Sequence, residues 1–174
     1  LEARQFYESN SSREIGGKTI YANNYEYSDI RTWLNNEFLN IAFFAPQANI
    51  IFNTTVDNSA SSTGGSNPYA GNNTVDKIYL PSYKELTKSD YGFDEDYTAH
   101  DPNRQIYVTD YARVTGANFS YDEDYYGYGK MWLRSPNSFE NYSIRGTFNN
   151  GHIGDRINAI SKTTSVVPMI RILK

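Results

Sequence analysis

The chain has 174 residues, a formal net charge of −4 and no cysteine. This length suits one domain that buries about two thirds of its unfolded surface, and the acidic balance argues against a nucleic-acid binder, which would carry a basic patch. The lack of cysteine excludes disulfides, thiolate metal sites and cysteine nucleophiles, and no apolar run approaches the roughly 20 residues that span a membrane.

The first forty residues predict a short strand and then one helix. Lys18–Ala22 is of strand type and follows a glycine turn. Ser28–Asn40 has helical spacing, with Ser28 as the N-cap and Asp29 adding negative charge to the first turn. The apolar stripe that should face the core consists of Ile30, Trp33, Leu34, Phe38 and Ile41.

The middle of the chain alternates short elements with a polar segment. Residues 46–49 predict a short helix, and Ser82 with Glu85 forms a capping box before another. Strands are expected at residues 50–56 and 76–80. Residues 58–73 are rich in Ser, Gly and Asn, and this composition predicts a long surface loop.

The second half predicts mostly strands. Thr109 suits the N-cap of a helical turn through Val114, and strands are expected around Trp132 and at residues 142–148 and 152–157, the last two joined by the Asn-Gly turn 150–151. Residues 166–173 form a near-continuous apolar run, which predicts a strand buried on both faces. Short helices followed by antiparallel strands, with long irregular loops between them, indicate an α+β domain.

Several motifs resemble one known family. The run W-L-R-S-P at residues 132–136 and the pattern V-x-P-x-x-R-I at residues 166–172 are accompanied by residues 28–35, 76–80 and 109–112. Together they resemble bacterial extracellular domains of unknown function, which are similar to the C-type-lectin-like fold shared with formylglycine-generating enzymes. The resemblance implies a single monomeric domain over residues 1–174, cut from a longer secreted or surface protein. The oxidase chemistry of formylglycine-generating enzymes is excluded, because it requires cysteines.

The resemblance also implies a place for a ligand site. In C-type-lectin-like proteins the binding surface is built late in the chain, and the corresponding residues here are Tyr125, Tyr126, Tyr128, Phe139, Tyr142, Asn149, Asn150, His152, Asp155, Arg156 and Asn158. The chain has sixteen tyrosines and nineteen asparagines, residue types that suit binding of a glycan or a protein partner. The codon usage of a low-GC genome would produce the same richness.

Two acidic strings repeat in the loops that precede this region. Residues 94–97 and 122–125 both read Asp-Glu-Asp-Tyr. Closely spaced loop carboxylates suit calcium, whose ligands would then be Asp94, Asp96, Asp122 and Asp124; the alternative is two solvated turns. If the strings converged around a cleft, they would suggest a hydrolase.

No catalytic constellation is evident otherwise. His100 and His152 lack a partner at metal-ligating or catalytic spacing, both are expected on the surface, and Ser135 lacks a nucleophile elbow. Four residues are assigned structural roles: Trp33, Trp132, Arg134 and Arg171. The two arginines, lying within apolar runs, should be buried and hydrogen-bonded to carbonyls or a carboxylate. The sequence therefore favours a non-catalytic module that needs no cofactor, with a structural spacer and a hydrolase as alternatives.

Overall fold

The structure is a computed structural model that describes residues 2–172, so that Leu1, Leu173 and Lys174 lie outside it. The helices are α1 (Asp29–Trp33), α2 (Leu39–Ala42), α3 (Ala45–Ile50), α4 (Tyr83–Leu86) and α5 (Asp110–Val114). The strands are β1 (Arg13–Ile15), β2 (Lys18–Ile20), β3 (Thr54–Val56), β4 (Thr74–Asp76), β5 (Ile78–Tyr79), β6 (Ile106–Tyr107), β7 (Tyr128–Gly129), β8 (Met131–Pro136), β9 (Ser143–Thr147), β10 (Ile153–Asn158) and β11 (Met169–Ile170).

The strands form small antiparallel sheets. The largest has three strands in the order β10-β9-β8, and the other pairs are β1-β2, β3-β4, β5-β11 and β6-β7. The predicted hairpin is confirmed, since β9 and β10 are joined by the turn that contains Asn150 and Gly151. Short helices and antiparallel strands together confirm the α+β class.

Local signals place most of the predicted helices correctly. Ser28 accepts a hydrogen bond from the backbone N–H of Arg31, Thr109 accepts one from Ala112, and Ser82 forms the predicted capping box ahead of α4. These side chains satisfy backbone N–H groups that the first helical turn leaves free. None of the helices over residues 2–172 combines the length and apolar character that crossing a bilayer requires.

The prediction for Ile41 is wrong, because the helix changes its winding. Residues Leu34–Phe38 form a π-helical turn between α1 and α2, in which the N–H of Leu39 bonds to the carbonyl of Leu34. An extra residue per turn rotates everything after it relative to an α-helix. Phe38 and Leu39 therefore pack on the core, and Ile41 is 83% exposed.

The main core lies between this helical segment and the three-stranded sheet. Trp132 in β8 is fully buried against Phe6, at 5.6 Å between ring centroids, and its indole Nε1 donates to the carbonyl of Arg4 at 2.7 Å. Trp33 and Ile144 belong to the same cluster. The core thus joins the first residues of the chain to its late strands.

Residues 58–73 form a surface loop, as their composition predicts, but part of the loop is buried. They contain a 3-10 turn at Ala60–Thr63, and Asn58 and Asn67 are buried. The amide of Asn67 donates to the carbonyl of Pro136 at 2.8 Å, and that of Asn58 donates to the carbonyl of Asn72 at 3.0 Å. Side-chain amides replace apolar contacts here, so the segment is ordered although it is polar.

Three predicted strands are shorter or differently placed. Only Thr54–Val56 of residues 50–56 is a strand, and residues 76–80 divide between the end of β4 and β5. The strand predicted at residues 166–173 is reduced to β11, and Leu173 is not among the described residues. Burial on both faces is also wrong, since Ile170 and Ile172 are exposed.

A candidate ligand-binding face

A cluster of aromatic side chains lies on the surface where loop residues 118–127 meet β6 and β7. The ring centroid of Phe119 is 4.7 Å from that of Tyr121 and 6.2 Å from that of Tyr126. Tyr107 packs edge-on against Tyr128, at 5.9 Å between centroids. We call these five residues the tyrosine face.

Much of this face is open to solvent. Tyr121 is 76% exposed, and Tyr107 and Tyr126 are also more than half exposed. The guanidinium of Arg113 lies 4.1 Å from the ring centre of Phe119 and 5.4 Å from that of Tyr107, which joins the two ring pairs. Cation–π contacts and ring packing fix the positions of these rings relative to one another.

Backbone hydrogen bonds hold the loop that carries the face. The N–H of Val108 donates to the carbonyl of Gly127 at 2.9 Å, and the N–H of Gly127 donates to the carbonyl of Ser120 at 3.0 Å. The N–H of Ser120 in turn donates to the carbonyl of Tyr128 at 2.8 Å. A small apolar core supports the loop, formed by Val108, Ala112 and Ala117.

A cleft of about 190 Å³ adjoins the tyrosine face. Its lining consists of Asn118, Phe119, Ser120, Tyr128, Gly129, Lys130 and Asn149. Gly129 has no room for a Cβ, which would overlap a methyl group of Val108 and lie 2.7 Å from the carbonyl oxygen of Asn118. The cleft combines aromatic faces with amide and ammonium groups, so it offers both apolar surface and hydrogen-bonding partners.

Arg104 fixes the turn at residues 149–151, which contributes Asn149 to the lining of the cleft. Its side chain is fully buried, and Nε donates to the carbonyl of Gly151 at 2.8 Å while forming an ion pair with Asp101 at 3.3 Å. The two terminal nitrogens donate to four more carbonyls, those of Leu86, Asp94, Asp96 and Ala99. Next to it, Gln105 Nε2 donates to the carbonyl of Asn149 at 2.8 Å. The first acidic loop and the 149–151 turn are therefore fixed to each other.

His152 lies beside the same turn, half-buried rather than on the open surface as the sequence suggests. Its ring stacks on Phe148 at 4.6 Å between centroids, and Nδ1 lies 2.5 Å from the amide oxygen of Asn150. Burial, followed by the positive charges of Arg104 and Lys130, lowers the pKa of His152 below its ordinary value. The neutral ring is thus favoured here.

The residues implied by the family resemblance divide between the two ends of the three-stranded sheet. Asn149, Asn150 and His152 follow β9, and Asn149 lines the same cleft as Tyr128. Tyr125 and Tyr126 lie in the loop that leads into β7. The residues at the other end or along the strand are Phe139, Tyr142, Asp155, Arg156 and Asn158. Strand β9 has five residues, which at about 3.4 Å each separates its ends by roughly 17 Å. The set therefore does not form one continuous site.

Side chains at the far end are engaged with one another. Arg145 pairs with Asp155 at 2.7 Å, Arg156 approaches Glu140 at 3.8 Å, and the carbonyl of Asp155 accepts a hydrogen bond from Asn137. These contacts connect the strands to the 137–142 loop. The charged side chains at this end are thus paired with one another, whereas the rings of the tyrosine face are open to solvent.

The acidic strings act as local caps. Asp94 accepts the N–H of Asp96 at 2.9 Å, Asp96 accepts the N–H and hydroxyl of Thr98, and Asp122 accepts the N–H of Asp124 at 3.0 Å. The Thr98 hydroxyl bond lowers the pKa of Asp96. Across residues 2–172, no three His, Asp or Glu side chains are grouped so as to hold a metal ion. Ring packing of His100 on Tyr125, at 5.7 Å, brings the two loops together without joining their carboxylates.

The four residues with predicted structural roles differ in burial. Trp33, Trp132 and Arg134 are buried, and Nη1 of Arg134 donates to the carbonyl of Leu80 and to Glu85, each at 2.6 Å. Arg171 is exposed, so its predicted burial is wrong. Its carbonyl accepts the N–H of Phe52 at 2.7 Å. Its guanidinium hydrogen-bonds to Tyr79 and opposes the rise that burial gives the pKa of that phenol.

Sequence reasoning missed three members of the tyrosine face: Tyr107, Phe119 and Tyr121. Tyr107 reaches the others through the pairing of β6 with β7, which residue types alone do not reveal. Phe119 and Tyr121 do stand in the tyrosine-rich loop, and the density of aromatic residues there was a usable signal.

Comparison with known proteins identifies the family. The family model for the domain of unknown function DUF6273 matches residues 5–173, so the chain belongs to that family. No curated protein and no solved structure matches the chain.

Proposed function

We propose that this member of the DUF6273 family is a non-catalytic binding module that holds a glycan on the tyrosine face. The observation that supports the proposal is the group of open aromatic rings on a hydrogen-bonded loop, beside a cleft with amide and ammonium groups. The binding residues are Tyr126, Tyr128 and Asn149, together with Tyr107, Phe119, Tyr121 and Lys130.

The chemistry of a sugar matches these groups. A pyranose presents C–H bonds on its faces and hydroxyls around its rim. Exposed faces such as those of Tyr121 and Tyr126 would pack on the C–H bonds, while Asn118, Asn149 and Lys130 would bond to hydroxyls. Because the rings are already fixed, little conformational entropy is lost on binding.

The finer fold and setting are part of the same proposal. We infer a C-type-lectin-like arrangement, supported by short helices that precede a late three-stranded sheet with long loops at its ends. We infer also that the domain works as a monomer within a secreted or surface protein of a bacterium, as the motif resemblance suggests. Binding is proposed to need no calcium, because Asp94, Asp96 and Asp122 already accept hydrogen bonds within their own loops.

A glycan array tests the proposal. We expect the wild-type protein to bind a restricted set of glycans, and Tyr126→Ala to weaken that binding at least about tenfold, the effect of about 1.4 kcal/mol. Tyr111→Ala is the matched control, since Tyr111 is 62% exposed on α5 and has no ring partner among the described residues. Each protein is assayed with calcium and with chelator, and equal signals are expected.

Other functions make different predictions. If the ligand is a protein, the array stays blank while Tyr126→Ala weakens capture of that protein but Tyr111→Ala does not. A structural spacer binds neither class of ligand, and this result would contradict the proposal. A hydrolase using the acidic strings would require Asp96 or Asp122 for turnover; their existing hydrogen bonds to loop N–H groups make this the less favoured alternative.

A further inference from the structure

A second cavity, of about 270 Å³, is lined by residues from the first half of the chain. It opens between the β1-β2 hairpin with the loop after it and the segment 68–72. The lining consists of Lys18, Thr19, Ile20, Tyr21, Asn24, Glu26, Tyr27, Pro68, Tyr69, Ala70, Gly71 and Asn72. We call it the hairpin cleft. None of these residues belongs to the site that the family resemblance implies.

Three tyrosines supply the aromatic lining of the hairpin cleft. Tyr21 and Tyr69 pack edge to face, with centroids 5.3 Å apart and planes at 80°. Both are half-buried, and Tyr27 is 37% exposed at the rim. This pairing fixes the two rings relative to each other and leaves ring surface available to a ligand.

The polar groups in the cleft include both donors and acceptors. Glu26 Oε2 accepts a hydrogen bond from Asn72 Nδ2 at 3.0 Å, and Asn24 Oδ1 accepts the N–H of Tyr27 at 3.1 Å. Asn24 Nδ2 faces Gly71, where an added Cβ would lie 3.2 Å from it. Glycine at that position keeps space in front of the amide, and Lys18 adds an ammonium group.

Buried side chains hold the two sides of the cleft in place. On one side, Asn23 is fully buried, and its amide donates to the carbonyl of Glu140 at 2.9 Å. On the other, buried Asn67 donates to the carbonyl of Pro136 at 2.8 Å, and the N–H of Gly71 donates to the carbonyl of Asn58 at 3.1 Å. The cleft is therefore preformed, as small-molecule sites usually are.

These contacts also place the cleft in the fold. The anchoring carbonyls of Pro136 and Glu140 lie at the end of β8 and in the loop before β9, whereas the tyrosine face adjoins the start of β8 and the end of β9. The two sites are thus separated by about the length of the sheet, roughly 17–20 Å. A single small molecule cannot occupy both.

We propose that the hairpin cleft is a second saccharide-binding site that accepts one sugar ring. An organic cation is disfavoured because Lys18 lines the cleft. An apolar ligand would displace water from the remaining hydrogen-bonding positions of Glu26 and Asn24, beyond the bonds they make to Asn72 and to the N–H of Tyr27, without replacing it. A neutral hydroxylated ring satisfies both kinds of polar group and packs on Tyr21 or Tyr69. The volume is just below the roughly 300–1,000 Å³ of sites for drug-sized ligands, which suits a single ring.

A module with two such sites would connect two glycan chains, or bind one branched glycan at two points. Occupying both sites of one module raises apparent affinity without any new contact. This goes beyond the proposed function, since it assigns a different set of residues and a valency of two.

The test is a two-dimensional amide NMR titration of ¹⁵N-labelled full chain with N-acetylglucosamine, galactose and mannose, each added separately. At least one sugar should shift the amides of residues 21–27 and 69–72 with a saturable curve. Tyr69→Ala and Glu26→Gln should each weaken that response at least tenfold, while Tyr126→Ala leaves it unchanged. Glu26→Gln keeps an amide oxygen for Asn72, so its fold should be retained.

Each result supports or overturns the assignment. No saturable shift at residues 21–27 and 69–72 with any of the three sugars overturns it, as does a shift that survives both Tyr69→Ala and Glu26→Gln in folded protein. Loss of the hairpin-cleft response in Tyr126→Ala would mean one shared site and would also overturn it. Shifts at residues 118–130 report separately on the tyrosine face, so the two proposals can fail independently.

Discussion

Replacing Arg104 with methionine should destabilise the protein severely. The guanidinium is fully buried and donates to five carbonyls, and it pairs with Asp101, which is also buried. Methionine has similar length but leaves the Asp101 carboxylate inside the protein without a cation. Breaking a buried ion pair in this way costs about 3–5 kcal/mol.

Urea unfolding followed by near-ultraviolet circular dichroism measures this cost. In thermal unfolding, the same loss of about 3–5 kcal/mol should lower the Tm by about 6–20 °C, at 2–4 °C per kcal/mol for a chain of this size. Arg156→Met is the matched control. The Arg156 side chain is 74% exposed, and its ion pair with Glu140 is long, at 3.8 Å, so the substitution should change the free energy of unfolding by no more than about 0.5 kcal/mol. Arg104→Lys keeps the charge but not the fork of donors, and should fall between the two.

Adding Asp101→Asn to Arg104→Met should recover part of the loss, because the buried charge is then removed. Equal stability of Arg104→Met and Arg156→Met would refute the reasoning. So would a double variant no more stable than Arg104→Met, since the cost would then come from lost packing and carbonyl bonds and not from the stranded carboxylate.

Three further changes test other parts of the structure. Gly151→Ala should destabilise more than Gly92→Ala: both glycines have positive φ, but only at Gly151 would a Cβ overlap the backbone of Asp101; comparable urea midpoints would count against the clash. Ser28→Ala should cost about 1 kcal/mol through the lost N-cap, and no change in Tm would show the cap to be dispensable. The pKa of His152 is lower in the folded protein than in the unfolded chain. The contribution of the neutral ring to the free energy of unfolding is therefore present above about pH 6.5 and is lost as the pH falls through the folded pKa. Urea unfolding should show that His152→Gln loses less stability than the wild type between pH 7.5 and pH 5.

Features decided by neighbouring residues were predictable from the sequence. The N-caps at Ser28 and Thr109, the capping box at Ser82 and the hairpin turn at Asn150 all depend on side chains within a few positions of the backbone groups that they satisfy. Such local chemistry is the same wherever the segment packs.

Features decided by distant contacts were not predictable. The π-helical turn after Trp33 changes which residues face the core, and the spacing of the apolar residues does not predict that turn. Asn67 belongs to a Ser/Gly/Asn-rich segment that reads as solvated, yet its amide bonds to a carbonyl 69 positions later. Arg104 stands among polar loop residues, and its burial depends on six groups brought together by the fold.

The members of the candidate site likewise divide into those that their position in the sequence suggested and those that only the fold reveals. The resemblance pointed to Tyr126, Tyr128 and Asn149, and the structure places Tyr128 and Asn149 in the lining of one cleft, with Tyr126 packed on Phe119 of the same cleft. Sequence position could not show that Tyr142 lies at the opposite end, or that Tyr107 crosses to join the rings through strand pairing. Sites that combine several loops require the fold to be known before their members can be assigned.

The most direct test of the central claim follows one array-selected glycan and the protein together by NMR over a long incubation. We expect saturable shifts of the amides at residues 118–130 and at Asn149. Replacing both Tyr121 and Tyr126 with alanine should abolish these shifts, while the glycan spectrum stays unchanged. New anomeric signals from a cleaved glycan, or shifts that spare residues 118–130, would contradict a binding face that performs no chemistry.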